Sequence, residues 1–208
     1  MIMKKQLLRG LMIGALATMG AGVSTMAQAD GTAQLDLTVE ANITAGTCAA
    51  SVLDGETATA TIGLGDVYVS EVFAKSKSKS FNLRFSDCAG LKDKTAKLRI
   101  ASSNTLCTGS NSKNPEFANN STSATKAGKT GMEIWSTATP AGTDSIQFNC
   151  GDPTSSEQTI DLSTATSTTP VDYPLSARLV PVSSPVTTLS QITAGDFLSN
   201  TVFTITYQ

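Results

Sequence analysis

The chain has 208 residues, with 15 Lys and Arg against 17 Asp and Glu and no histidine. A near-neutral balance gives no basis for holding a polyanion, and the lack of histidine removes the commonest general base, the commonest zinc ligand and the middle member of a Ser-His-Asp relay. Ser and Thr abound while Lys and Glu are sparse, which suits strands and turns over helices, so an all-β fold is expected.

Residues 1–29 read as a cleaved secretory signal peptide. Lys4, Lys5 and Arg9 give a basic start, Leu11 to Val23 an apolar run, and Ala27-Gln28-Ala29 the small-x-small pattern of a cleavage site. A lone membrane anchor is the competing reading, but the run is short and rich in Gly and Ala. A mature chain from Asp30 loses three basic residues and no acidic one, which leaves 12 against 17, a net charge of −5. It has no second apolar stretch long enough to span a bilayer.

Export places Cys48, Cys88, Cys107 and Cys150 where disulfides persist. Four cysteines allow three pairings, and chain order favours Cys48 with Cys88 and Cys107 with Cys150. No two lie at a C-x-x-C spacing and no histidine can complete a site, so neither a metal nor another cofactor is expected.

Along the mature chain, period-two alternation dominates. Leu35, Leu37, Val39, Ala41 and Ile43 alternate with polar residues, the pattern of a half-buried strand. The same alternation marks Ala60 to Leu64, Phe81 to Phe85, Leu98 to Ile100, Leu175 to Leu179 and Phe203 to Tyr207. Turn formers punctuate these runs at Asp54-Gly55, Ala89-Gly90, Gly151-Asp152-Pro153 and Pro181 to Pro185, as in a sandwich or barrel. Ser102 to Gly131 is polar apart from Leu106 and Phe117 and reads as a long surface excursion, tied at its base if Cys107 meets Cys150.

Two patterns invite over-reading. Lys75, Lys77 and Lys79 at alternate positions predict the solvated face of a strand; no aromatic residue is interleaved with them, so nucleic-acid binding has no support. Ser123 to Lys126 matches S-x-x-K and Lys129 to Gly131 matches K-T-G, but the two are almost contiguous in a polar loop, unlike the separated helix and strand that serine β-lactamases use. With neither base nor metal, an enzyme is not expected.

The two ends carry the most information, because each is an alternating apolar strand at an extreme of the chain. A terminal strand with unpaired backbone groups invites pairing with another chain. The sequence here resembles the subunits of chaperone-usher pili of the type 1 fimbrial kind over essentially its whole length. The resemblance rests on the first cysteine in Asn42-Ile-Thr-Ala-Gly-Thr-Cys48, the second closing Phe81-Asn-Leu-Arg-Phe-Ser-Asp-Cys88, and Tyr173-Pro-Leu-Ser-Ala-Arg-Leu179. It also rests on the end of the chain, with Gly195 fourteenth from the C-terminus and Tyr207 penultimate.

That resemblance implies an incomplete immunoglobulin-like β-sandwich lacking its final strand, over residues 44–208, preceded by a donor-strand extension over residues 30–43. A periplasmic chaperone would lend the missing strand, and at an outer-membrane usher the extension of the next subunit would replace it, giving a fimbrium on the bacterial surface that supports adhesion. The family's donor positions fall on Leu35, Leu37, Val39, Ala41 and Ile43; Ala41 stands where the family usually has glycine. Gly195, Phe203, Ile205, Tyr207 and Gln208 would border the groove and meet the chaperone. The Cys107 and Cys150 pair lies outside the family's common pattern. A chain with its own extension and no separate receptor domain implies a shaft subunit or an adaptor. The alternative is a self-contained, secreted immunoglobulin-like protein that binds a ligand as a monomer; an apolar strand ahead of the first disulfide argues against it.

Overall fold

The computed structural model describes residues 41, 45–103, 106–109, 113–182 and 186–208. Of the proposed donor positions, Leu35, Leu37, Val39 and Ile43 lie outside the described residues, and Ala41 is in no helix or strand. The strands of residues 45–208 are β1 (Thr47–Asp54), β2 (Thr57–Ala58), β3 (Ser78–Ala89), β4 (Thr95–Ser102), β5 (Phe117–Ala118), β6 (Thr130–Trp135), β7 (Gln158–Asp161), β8 (Val171–Pro181) and β9 (Thr201–Tyr207). A short helix, α1 (Val69–Ala74), precedes β3, and a 3-10 turn (Leu189–Gln191) lies between β8 and β9.

These strands make two antiparallel sheets, one ordered β2-β1-β3-β8-β6-β5 and the other β7-β4-β9. The cause is the period-two alternation, which sends every second side chain to one face. Phe81, Leu83 and Phe85 of β3, Met132 and Ile134 of β6, and Leu175, Ala177 and Leu179 of β8 cover the inner face of the larger sheet. Ala96, Leu98 and Ile100 of β4 face them from the smaller sheet, each with no exposed surface. The result is the immunoglobulin-like sandwich expected from the sequence.

Cys48 bonds to Cys88, joining the start of β1 to the end of β3, and Cys107 bonds to Cys150. The Tyr207 hydroxyl donates to the Cys48 carbonyl at 3.0 Å, so the end of β9 is fastened to the opposite sheet.

Three expectations change. Ala60 to Leu64 is not a strand: Ile62 and Leu64 pack against the core, but the backbone lies in no ladder, and alternation reports only which side is buried. Lys75, Lys77 and Lys79 do not share a strand face. Lys75 ends α1 in the left-handed conformation (φ 54°) and reaches Glu133, Lys77 lies in the connection, and Lys79 on β3 pairs with Asp54 at 2.8 Å. Ser102 to Gly131 is more than surface decoration, because it supplies β5, which pairs with β6 through Phe117 opposite Met132, and Phe117 is fully buried.

Candidate functional site: an apolar groove beside the last strand

β9 is an edge strand. On one side it pairs with β4 in the register Ile100 opposite Phe203, Leu98 opposite Ile205 and Ala96 opposite Tyr207. On its other side it pairs with no strand among the described residues. The three β4 residues are fully buried, yet Phe203, Ile205 and Tyr207, which point to the same core, are only half-buried. Side chains on one face of two paired strands should be covered alike unless the layer stops at the second. Here it stops, and a row of backbone N–H and C=O groups is left without a ladder.

Beside that edge runs a groove of about 840 Å³. Its lining includes Val52 of β1, Ile62 and Leu64 ahead of α1, Phe81 of β3, Met132 of β6 and Phe203 of β9. At the far end of β9 the Tyr207 phenol hydroxyl reaches Cys48 and its ring meets Phe85 edge-on at 6.4 Å between centroids. Burial pushes the Tyr207 phenol above its usual range, so it stays a neutral hydrogen-bond donor.

Gly195 also lines the groove. At φ +153° it allows residues 193–196 to lie directly on residues 125–128, and a Cβ there would overlap the Thr125 carbonyl oxygen. Asp196 follows it, its carboxylate held below the ordinary range by the hydroxyls of Ser123 and Thr125. Gln208 closes the chain with its amide donating to the Thr95 carbonyl at 3.0 Å.

The structure places Gly195 and Phe203 on this groove, whereas Tyr207 and Gln208 line a separate hollow beside Gly46 and Gly90, and Ile205, packed against the core, lines neither. Sequence reasoning missed the rim residues Ile192 and Phe197 and the floor residue Val72 of α1, all of which line the groove. Their only signal was isolated hydrophobicity in polar surroundings. It also missed a buried ion cluster on β6 and β8. The Glu133 carboxylate, 3% exposed, accepts from Arg178 at 2.6 Å, from the Trp135 indole at 3.0 Å and from Lys75 at 3.3 Å.

Chemically the groove offers apolar side chains set among polar ones, and one free strand edge. That combination suits an extended peptide, which would gain a backbone ladder and insert alternate side chains. No cluster of His, Cys, Asp or Glu able to hold a metal occurs among the described residues. No helix among them is long and apolar enough to cross a membrane.

No family model matches the chain. Over 177 residues it is 42% identical to the fimbrial-like protein YadL of Escherichia coli (strain K12), covering 85% of each chain. Two solved structures are similar at low identity. The P pilus rod subunit PapA matches at 17% identity and a TM-score of 0.49, over 77% of this chain and 99% of that one. The CupB6 tip adhesin of Pseudomonas aeruginosa matches at 18% identity and a TM-score of 0.43, over 64% of this chain and 31% of that one. The identity and coverage shared with YadL show that the chain belongs to the fimbrial-like proteins, the family of pilus subunits that its cysteine and terminal motifs resemble.

Proposed function

We propose that this pilus subunit is built as an incomplete sandwich and polymerises by donor-strand exchange. The observation that carries the reading is the half-exposure of Phe203, Ile205 and Tyr207 on an edge strand whose β4 partners are fully buried, with a groove opening beside Phe203. A periplasmic chaperone lends the groove a strand first. At the outer-membrane usher the segment 30–43 of the next subunit replaces it, and this chain's own segment serves a further neighbour. The physics is β-strand addition, of which chaperone–pilin complementation is a known instance: backbone bonds hold the donor, and alternate side chains fill the core. Four large inserted groups, with the small Ala41 as the fifth position, at roughly 1.5 to 3 kcal/mol each give on the order of 10 kcal/mol from burial. Residues 1–29 direct export and are removed ahead of Asp30. Within the fibre the chain acts as a shaft subunit or an adaptor, and counting it against other subunits in fibres sheared from cells separates the two.

The test is to append a second copy of Asp30 to Ile43 after Gln208 through a Gly-rich linker. The extended chain is expected to be a stable monomer, whereas the unmodified mature chain without chaperone polymerises or melts at lower temperature. An unmodified chain that is monomeric and melts no lower than the extended one overturns the proposal. Val39→Asp, which would place an unpaired charge in the neighbour's apolar groove, is expected to leave chaperone capture intact and stop polymerisation. Tyr207→Ala removes the fastening of β9 to Cys48 and is expected to fail earlier, at capture.

A further inference from the structure

One wall of the groove is a single stretch of chain. Residues 60–76 run from just past β2 to just short of β3, and Ile62, Leu64, Val67, Val69 and Val72 of this stretch line the groove while packing against the core. Its far side is open, since a Cβ on Gly63 or Gly65 would meet nothing within 4 Å. Just ahead of it the Thr59 amide donates to the Val52 carbonyl at 2.9 Å, and beyond it the β3 ladder begins at Ser78 opposite Arg178. Between those points, among the described residues, one polar contact joins the stretch to the rest of the chain: the Lys75 ammonium donates to Glu133 at 3.3 Å.

That contact differs from a stray surface pair at both of its ends. The acceptor is fixed: Glu133, 3% exposed, takes the Arg178 guanidinium at 2.6 Å and the Trp135 indole at 3.0 Å on Oε2, and Lys75 on Oε1. A carboxylate held in this way is a defined point, whereas apolar packing is non-directional and lets a wall slide. The donor stands in an unusual place. Lys75 ends α1 at φ 54°, in the left-handed conformation that helix ends ordinarily give to glycine. A residue with a Cβ is strained there, and the side chain that glycine would lack is the one that reaches Glu133.

We infer that Lys75 and Glu133 are positioning residues for the peptide that the groove takes: their contact sets where the wall of residues 60–76 stands, although neither lines the groove. The inference rests on the donor-strand reading above and adds to it the device that holds the site in shape. With the contact made, α1 is held against β8 and the 3-10 turn, and Ile62, Leu64 and Val72 meet an entering strand where they stand. Without it the wall samples other placements, and apparent affinity falls in proportion to the fraction of time spent in place. A wall in place roughly a fifth to a tenth of the time binds roughly five- to tenfold more weakly.

Lys75→Gly tests this, because it removes the ammonium and relieves the left-handed strain together, and it leaves Glu133 paired with Arg178. The acceptor is the mature chain carrying Val39→Asp, so that it cannot donate, and the probe is a synthetic peptide of residues 30–43. Lys79→Met is the control, since it removes a lysine of similar exposure whose partner, Asp54, lies off the groove. Lys75→Gly is expected to lower peptide affinity roughly five- to tenfold. It should also speed amide exchange over residues 60–76 but not over β6 and β8, and leave the urea midpoint of the peptide-free acceptor unchanged or higher. Lys75→Arg, which keeps the cation, is expected to bind as the parent does. An affinity loss no larger than that of Lys79→Met overturns the inference. So does a fall in urea midpoint that matches the affinity loss, which would make the contact a general stabiliser, and so does an equal loss in Lys75→Arg. If the peptide fails to bind the parent, the donor-strand reading falls, and this inference with it.

Discussion

Substituting Gly195 with alanine probes how rigidly the groove rim is held. Residues 193–196 are fixed to residues 125–128 by four backbone bonds. Asp196 donates to the Thr125 carbonyl at 3.0 Å, Ala127 to Asp196 at 2.9 Å, Gly128 to Thr193 at 3.2 Å, and Thr193 to Gly128 at 3.3 Å. A Cβ on Gly195 overlaps the Thr125 oxygen and stands 2.8 Å from both the Ala127 nitrogen and the Lys126 carbonyl carbon. All three are backbone atoms, so no side chain can rotate aside and the two segments must part. Loss of two to four bonds at about 0.5 to 1.5 kcal/mol each gives roughly 1 to 6 kcal/mol, and the backbone conformation at φ +153°, adopted essentially by glycine alone, adds about 1 to 3 kcal/mol of strain for a residue with a Cβ. Gly55→Ala is the control, because Gly55 has φ +61° but nothing within 4 Å of its would-be Cβ. It should cost about 1 kcal/mol from strain alone. Urea denaturation of the chain complemented by an appended donor segment measures both. Gly195→Ala is expected to lose several kcal/mol and to weaken binding of the 30–43 peptide, since Ile192 and Phe197 move with the rim. A loss no larger than that of Gly55→Ala would refute the reasoning.

Three further outcomes are expected. Arg178→Met strands the buried Glu133 carboxylate with only the part-exposed Lys75 as cation. It should cost roughly 3 to 5 kcal/mol by urea titration, much of which Glu133→Leu in the same chain restores; no restoration would mean that Arg178 acts through its stacking on Trp135. Replacing both Cys107 and Cys150 with Ser should cost roughly 2 to 4 kcal/mol and open residues 106–118 to protease while peptide binding at the groove persists, a pattern that limited proteolysis reads directly. In acid, the Arg84 guanidinium, bonded to both Asp172 oxygens at 2.7 Å, holds that carboxyl below its ordinary value of 3.8. The folded pKa is thus the lower one, so the pair's stabilisation is complete above about pH 4 and is lost as pH falls through the folded value. Arg84→Gln is therefore expected to flatten the stability profile below pH 4 and to leave its slope above pH 5 unchanged.

The sandwich was legible because its strands are amphipathic. Phe81, Leu83 and Phe85 alternate in the sequence and are buried in the structure for the same reason. Such patterns are local. Glu133 reads as a solvated strand residue, and only tertiary packing brings Arg178, Trp135 and Lys75 around its carboxylate. Phe117 stands alone in a polar stretch, where one aromatic residue has no period to display, yet it anchors β5 against Met132. The three lysines misled because alternation over five residues cannot tell a strand from a helix end followed by a strand start, and the left-handed turn at Lys75 separates the two.

One mismatch bears on function. Ala60 to Leu64 has the alternation of a strand and the side-chain packing of one, but no ladder. β9 has the alternation and one ladder, but lacks the burial that its partner β4 enjoys. Ile62, Leu64 and Phe203 line the same groove, and a single extended segment laid there would pair with the free edge of β9 and cover Ile62 and Phe203 together. Under the donor-strand proposal, residues that look excessive for the isolated chain are the ones a complemented sandwich would use. Replacing Ile62 and Leu64 with serine is accordingly expected to change the stability of the uncomplemented chain little, because both side chains are already part-exposed there. The same change should lower the affinity for the 30–43 peptide roughly tenfold or more, since each large apolar group that becomes covered on binding is worth up to about 1.5 to 3 kcal/mol. Equal losses in the two measurements would show that the rim belongs to the isolated fold and gains nothing from a donor strand.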